Sequence, residues 1–283
     1  MKVIRKIDEM QKVADNLRKS GEIIGLVPTM GYLHKGHLHL VEFAKKNSDI
    51  VIMSIYINPT QFAPNEDLAE YPRDFERDEK LAEESGVDII FYPENMYDNN
   101  LTFVNIEKIT NILCGQSRPT HFRGVATIVA KLFNITKPHY AVFGQKDAQQ
   151  FAVIQKMTED LNFDIELIMS PIIREKDGLA MSSRNKNLST EDRKNATILY
   201  KTLKFVIAEM ENIDKNYSIE KITQNAKKMI YNIPNAKLDY LTAVSFPKLG
   251  PVKGFSEDIL IAIAVKFGAV RLIDNIIMRK NGK

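Results

Sequence analysis

The segment between Asp49 and Asn58, IVIMSIYI, is apolar at almost every position. A strand with one wet face alternates apolar and polar residues, so this run suits a strand buried on both faces of a parallel sheet. Neighbouring segments repeat the theme. Ile23 to Val27 reads as a short strand that stops at Pro28, and VDIIFYP (Val87 to Pro93) as a third. HYAVFG is a fourth, ending at Gly144, and DIELIMS a fifth, ending near Pro171. Between them apolar residues fall three and four apart: Leu38, Leu40, Val41 and Ala44, then a stretch near Asp74 to Glu84. The same spacing recurs in Val125, Ile128, Val129, Leu132 and Phe133, and in Phe151, Ile154 and Met157. An opening helix places Ile7, Met10, Val13, Ala14 and Leu17 on one face, and Gly21 can end it in the left-handed conformation. Strands alternating with helices predict an α/β chain with a Rossmann-like, doubly wound parallel sheet.

The pattern changes after about Arg174. Ser189-Thr-Glu-Asp192 looks like a helix start, running on through Leu199, Leu203 and Val206, and a second helix begins near Ser218. Three strand-like pieces, LDYLTAV, DILIAIAV and AVRLID, close the chain. The expected division is residues 1–175 as a Rossmann-like domain and 176–283 as a smaller α+β C-terminal domain.

Composition narrows the classes. With 44% hydrophobic and 27% charged residues, disorder and coiled-coil readings fall away. The longest apolar run, Ile259 to Val265, is seven residues, far short of the roughly 20 that span a membrane. Asp8 and Glu9 interrupt any N-terminal signal segment, and the single Cys114 excludes an internal disulfide, which together predict a cytoplasmic protein. A net charge of +3, spread along the chain, predicts no nucleic-acid partner.

Ligands of doubly wound sheets bind beyond the carboxyl ends of strands, so the strand-to-helix junctions carry the functional signal. The first holds His34, His37 and His39, three of the five histidines. Gly31-x4-Gly36 mimics the start of a P-loop, but His37-Leu38 stands where that motif needs Lys and Ser/Thr. A zinc site lacks any nearby cysteine. In His34-x-Gly36-His37, glycine permits close backbone approach at a helix N-terminus, and two imidazoles can donate to an α-phosphate. The alternative is that the pair merely caps the helix or packs; His39 is read that way. At the second junction, Asn58-Pro-Thr-Gln61 offers uncharged amides for a substrate hydroxyl or carboxylate, or is simply a turn. At the fourth, Gly144-Gln145-Lys146-Asp147 puts an ammonium where it can reach a polyphosphate, with Arg123 as a possible further cation. Met181-Ser182-Ser183-Arg184, on the connector, suits folding over a triphosphate.

PTMGYLHKGH, INPTQF, YPRDF, HFRGVATIVAKLFN, FGQKDAQQ, REKDGLAMSSRN and RLIDN, in this order, resemble the pantoate–β-alanine ligase (pantothenate synthetase) family over nearly the whole chain. The His-x-Gly-His element alone is similar to that of a wider nucleotidyltransferase superfamily, in which a KMSKS-type loop takes the place of Met181 to Arg184. The resemblance implies ATP-dependent ligation of pantoate to β-alanine through pantoyl adenylate, with magnesium accompanying ATP, in a homodimer. It implies ATP contacts at Met30, Gly31, Tyr32, Leu33, His34, Lys35, Gly36, His37, Gly144, Gln145, Lys146, Asp147, Ile173, Met181, Ser182, Ser183 and Arg184. It further implies pantoate at Gln61 and Gln150, β-alanine at Gln61, and catalysis by His37, His34 and Lys146, with proton donation assigned to His37. No direct protein ligand for the metal is expected. Gln145 departs from the glutamate frequent in the family. Rival readings are an adenylyltransferase with a phosphorylated acceptor and a non-catalytic nucleotide-binding regulator.

Overall fold

Two sheets organise the chain, which a computed structural model describes over residues 1–64, 66–212 and 218–280. The strands are β1 (Lys2–Ile4), β2 (Ile24–Thr29), β3 (Ile50–Ile55), β4 (Ile89–Phe91), β5 (Tyr140–Gly144), β6 (Glu166–Ser170), β7 (Ala236–Phe246), β8 (Asp258–Phe267) and β9 (Val270–Met278). The helices are α1 (Ile7–Lys19), α2 (Lys35–Asn47), α3 (Phe75–Ser85), α4 (Cys114–Ser117), α5 (His121–Thr136), α6 (Ala148–Asp160), α7 (Thr190–Asn195), α8 (Ile198–Glu211) and α9 (Ile219–Tyr231). The first six strands pair in parallel in the order β1-β4-β3-β2-β5-β6, and β7-β8-β9 form an antiparallel sheet.

Successive strand residues face opposite sides, and here both sides are covered. Ile24, Leu26 and Ile52 pack with residues of α1, α5 and α6, whereas Val27, Val51, Met53 and Ile55 pack with those of α2 and α3. That explains the absence of polar alternation in β3. The neighbours β2 and β5 continue in opposite directions across the sheet, to β3 and to β6, so their carboxyl ends border the crevice at the switch point. One face of the antiparallel sheet, through Leu241, Ile259, Ile261, Ile263 and Val265, packs on Leu199, Leu203 and Val206 of α8 and Ile222 and Ala226 of α9. The other face sends Phe246, Leu260 and Ala262 into the same apolar cluster as α5 and α6.

Two local expectations need correction, and one strand carries no sequence signal. β2 runs through Pro28 to Thr29; β5 pairs with it only at Gly25 and Leu26, so the missing proline N–H interrupts no ladder on that side. The edge strand β1, three residues long, is too short to show a period. The helix expected from Ser189 to Val206 is two, because Ala196 and Thr197 (ψ −22° and −17°) take near-3₁₀ geometry between them. No helix among the described residues is long and apolar enough to cross a membrane.

Candidate active site

The carboxyl ends of β2, β3 and β5 open into a cavity of about 980 Å³, closed on its far side by residues 181–184 and by β9. The turn from β2 to α2 supplies its first wall. Gly31 (φ +81°) and Tyr32 (φ +48°) both lie in the left-handed region, which costs little for glycine and more for tyrosine. A buried carboxylate holds the strained turn: the N–H groups of Tyr32 and Leu33 donate to Asp78 Oδ2 and Oδ1 at 2.6 and 2.7 Å. Arg77, next to Asp78 on α3, donates to the Leu33 carbonyl at 2.8 Å.

His34 then caps α2. Its Nδ1 accepts from the Gly36 N–H at 3.1 Å, and His37 Nδ1 accepts from the His34 N–H at 3.3 Å. The two rings stack with centroids 4.0 Å apart. Each Nδ1 is thereby an acceptor, which places the ring proton on Nε2 in both. Burial lowers the His34 pKa to about 4, helped by the Lys146 and Arg77 charges. Burial pushes His37 well below its ordinary value, with His34 and Lys146 adding to the effect. The pair is neutral at pH 7, and His37 has one donor, Nε2–H, rather than the two a protonated ring would offer. Capping and ligand binding are thus compatible roles: the cap sets the tautomer. A Cβ at Gly36 would come within 2.9 Å of the His34 ring, so glycine here makes room for the imidazole as well as for a ligand.

The second wall is the turn after β5. Lys146 lines the cavity, and its charge acts on both imidazoles, so the three groups share one cleft. The third wall follows β3. Asn58 donates to Gln61 Oε1 (3.0 Å) and to the Gly124 carbonyl (3.1 Å), and Gln61 Nε2 lies 2.9 Å from Met30 Sδ. A Cβ on Gly124 would collide with the Thr60 carbonyl, so glycine lets α5 press against this turn. Arg118 and His121 buttress it: Arg118 binds Glu66 bidentately (2.6 Å each), and His121 Nδ1 lies 2.9 Å from the Gln61 carbonyl. Burial, with the neighbouring Arg118, drops His121 to about 3. On the connector, Ser182 Oγ accepts from Arg184 N (3.3 Å), Ser183 Oγ lies 3.3 Å from Tyr71 Oη, and Arg184 binds Asp67 bidentately at 2.8 Å.

The cavity therefore gathers Met30, His34, Gly36, His37, Gln61, Gly144, Lys146, Asp147, Gln150, Ile173, Met181, Ser182, Ser183 and Arg184. Gly31, Tyr32, Leu33, Lys35 and Gln145 do not line it. Leu33 is fully buried in the core, Lys35 points to solvent, and Gln145 turns toward Asn275. Gly31 and Tyr32 shape the turn. Arg123 is exposed and stacks over Phe103 at 4.0 Å, away from the cavity. His39 faces Glu42 at 3.0 Å. Residues that sequence reasoning gave no role, Asp78, Arg118, His121, Tyr71 and Asn275, fall inside or directly behind the walls. The one signal for Asp78 was an acidic residue on the inward face of an amphipathic helix. Among the described residues no group of three or more His, Cys, Asp or Glu could hold a metal ion.

The profile of the family described as pantoate-beta-alanine ligase matches residues 2–277. Pantothenate synthetase of Caldicellulosiruptor bescii is 53% identical over 281 residues, covering 98% of this chain and 99% of that protein. The synthetase of Acetivibrio thermocellus is 53% identical over 283 residues, with 98% and 99% covered. The crystal structure of pantothenate synthetase from Thermus thermophilus superposes with a TM-score of 0.89 at 39% identity, covering 98% and 99% of the two chains. That of pantoate-beta-alanine ligase from Francisella tularensis, complexed with beta-gamma ATP and beta-alanine, superposes with a TM-score of 0.78 at 36% identity, covering 98% and 97%.

Proposed function

The chain belongs to the pantoate–β-alanine ligase family, and from that premise we propose how its cavity performs the reaction. The enzyme condenses (R)-pantoate with β-alanine to pantothenate through pantoyl adenylate, releasing AMP and pyrophosphate. In the first step a pantoate carboxylate oxygen bonds to the α-phosphorus of ATP and the bond to the β-phosphate oxygen breaks. In the second the β-alanine nitrogen bonds to the acyl carbon and the bond to AMP breaks. Neither step needs a covalent enzyme intermediate; both need positioning and charge stabilisation.

The observation that carries the residue assignment is the stacked, neutral imidazole pair with Nε2–H donors, sharing a cleft with Lys146. In our reading His34 and His37 donate to the α-phosphate as charge accumulates there, and Lys146 neutralises the phosphate oxygens. A neutral His37 fits donation of a hydrogen bond better than delivery of a proton. Met30, Gly36, Gly144, Asp147, Ile173 and Met181 to Arg184 surround the nucleotide, with the turn at Gly31 to Leu33 acting through its shape. Gln61 and Gln150 hold pantoate, and Gln61 also meets β-alanine. Arg184 must exchange Asp67 for a phosphate to take part.

Glu66, Asp67 and Asp274 in the cavity wall are each engaged by an arginine, which leaves Glu70 and Asp147 as the wall carboxylates that could meet a magnesium ion carried on the phosphates of ATP, whose charge it would offset. We further propose residues 1–175 as the nucleotide- and pantoate-binding unit and 176–283 as a lid, a cytoplasmic location and a homodimer. Light scattering at micromolar concentration, returning a monomer mass, would remove the dimer. The reaction itself is tested by supplying ATP, magnesium and pantoate without amine. Acid-quenched mixtures should contain the mixed anhydride, and its absence while β-alanine still yields pantothenate would contradict the two-step scheme.

A further inference from the structure

The RLIDN segment of β9 lies in the other sheet, 130 residues from the Lys146 turn, yet it reaches that turn. Asn275 is 3% exposed, and asparagine is an unfavourable residue in a strand, so its amide must be fully bonded to be tolerated. It is. Its Nδ2 donates to the Gln145 carbonyl at 2.9 Å and to the Lys146 carbonyl at 3.0 Å. Its Oδ1 accepts from Gln145 Nε2 at 3.3 Å. Those two carbonyls belong to the peptide planes on either side of the Lys146 Cα. Holding both fixes φ and ψ at Lys146, and with them the direction in which its side chain leaves the backbone.

The clamp is itself braced. Arg174 binds Asp274 bidentately at 2.6 and 2.9 Å and stacks over the Tyr200 ring at 3.8 Å. Asp274 Oδ1 in turn accepts from the Asn275 N–H at 2.8 Å. An ammonium on a long, rotamer-rich side chain has little directional preference of its own, so its aim depends on the backbone that carries it. We infer that Asn275 is a positioning residue for Lys146, setting from the antiparallel sheet the aim of an ammonium that belongs to the parallel one. The inference rests on the reading that Lys146 acts on the ATP phosphates.

The test is a double-mutant cycle on pantoate-dependent ATP–pyrophosphate exchange. A misplacement of about 1 Å can cost on the order of 10²-fold in rate, so Asn275→Ala should slow exchange at least about tenfold in the native background. In a Lys146→Ala background the same substitution should change it less than about twofold, because the group it aims is gone. The KM for β-alanine should stay unchanged. Full multiplication of the two losses, or exchange by Asn275→Ala within about twofold of the unsubstituted enzyme while Lys146→Ala is impaired, would overturn the inference. Near-normal exchange by Lys146→Ala would instead overturn the reading beneath it. Circular dichroism and the thermal midpoint check folding; a purely structural role lowers the midpoint but does not produce the non-additivity. Should the alanine variant not fold, Asn275→Ser, which keeps one donor, takes its place with the same expected cycle.

Discussion

Acid should weaken this fold through His34, and the size of the effect follows from its burial. Burial, with the nearby Lys146 and Arg77 charges, brings the His34 pKa from an ordinary 6.5 to about 4. The unfolded chain then binds a proton more readily than the native one. The stabilisation is therefore present above pH 6.5 and is lost as pH falls toward 4. Taking 1.36 kcal/mol per pKa unit, the loss from this one residue is about 2 kcal/mol between pH 7 and pH 5. His34→Asn keeps a capping acceptor but removes the titration. Urea unfolding followed by circular dichroism at both pH values should show the acid-induced loss smaller by about 2 kcal/mol in the variant. His121, also lowered by burial, remains in both proteins and cancels in the difference, and His37 nearly so, because a His34 with a pKa of about 4 places little charge beside it above pH 5. An equal pH response in variant and unsubstituted protein would refute the argument, since it requires an imidazole that resists protonation.

Other consequences are sharper at the level of turnover. His37→Ala and Lys146→Ala should each lose about 10²–10³ in exchange rate while keeping the native circular dichroism spectrum; near-normal turnover would remove the assigned role. Gln61→Ala should mainly raise the KM for pantoate and β-alanine, and unchanged values for both would take Gln61 out of the substrate pocket. Small-angle scattering with a non-hydrolysable ATP analogue should show compaction if residues 176–283 close as a lid, and an unaltered radius of gyration would count against closure.

The α/β reading was available locally because both faces of the parallel sheet are covered. The run from Ile50 to Ile57 is apolar for that reason, and the helices between strands keep a regular apolar face. The His34-x-Gly36-His37 cap, the lysine after β5 and the connector segment were likewise legible, because each lies within a few residues of a strand or helix end. Gln145 and Lys35 illustrate the opposite case. They sit in the right motifs, but which side of a turn a residue occupies depends on the neighbour it meets, Asn275 for one and solvent for the other. Arg123 was read as a cation for the cavity, yet the helical rotation of α5 sends it to Phe103.

Chain-local chemistry alone thus determined the alternation of strands and helices in the parallel sheet, apart from the short β1, and the turns from which His34, His37 and Lys146 arise. Tertiary packing decided the partners: Asp78 on the Tyr32–Leu33 turn, Glu66 on Arg118 and Asn275 behind Lys146. These contacts span 45 to 130 residues. Periodicity and capping act over one or two turns of chain, whereas a buried donor meets its acceptor only after distant apolar faces have chosen how to pack.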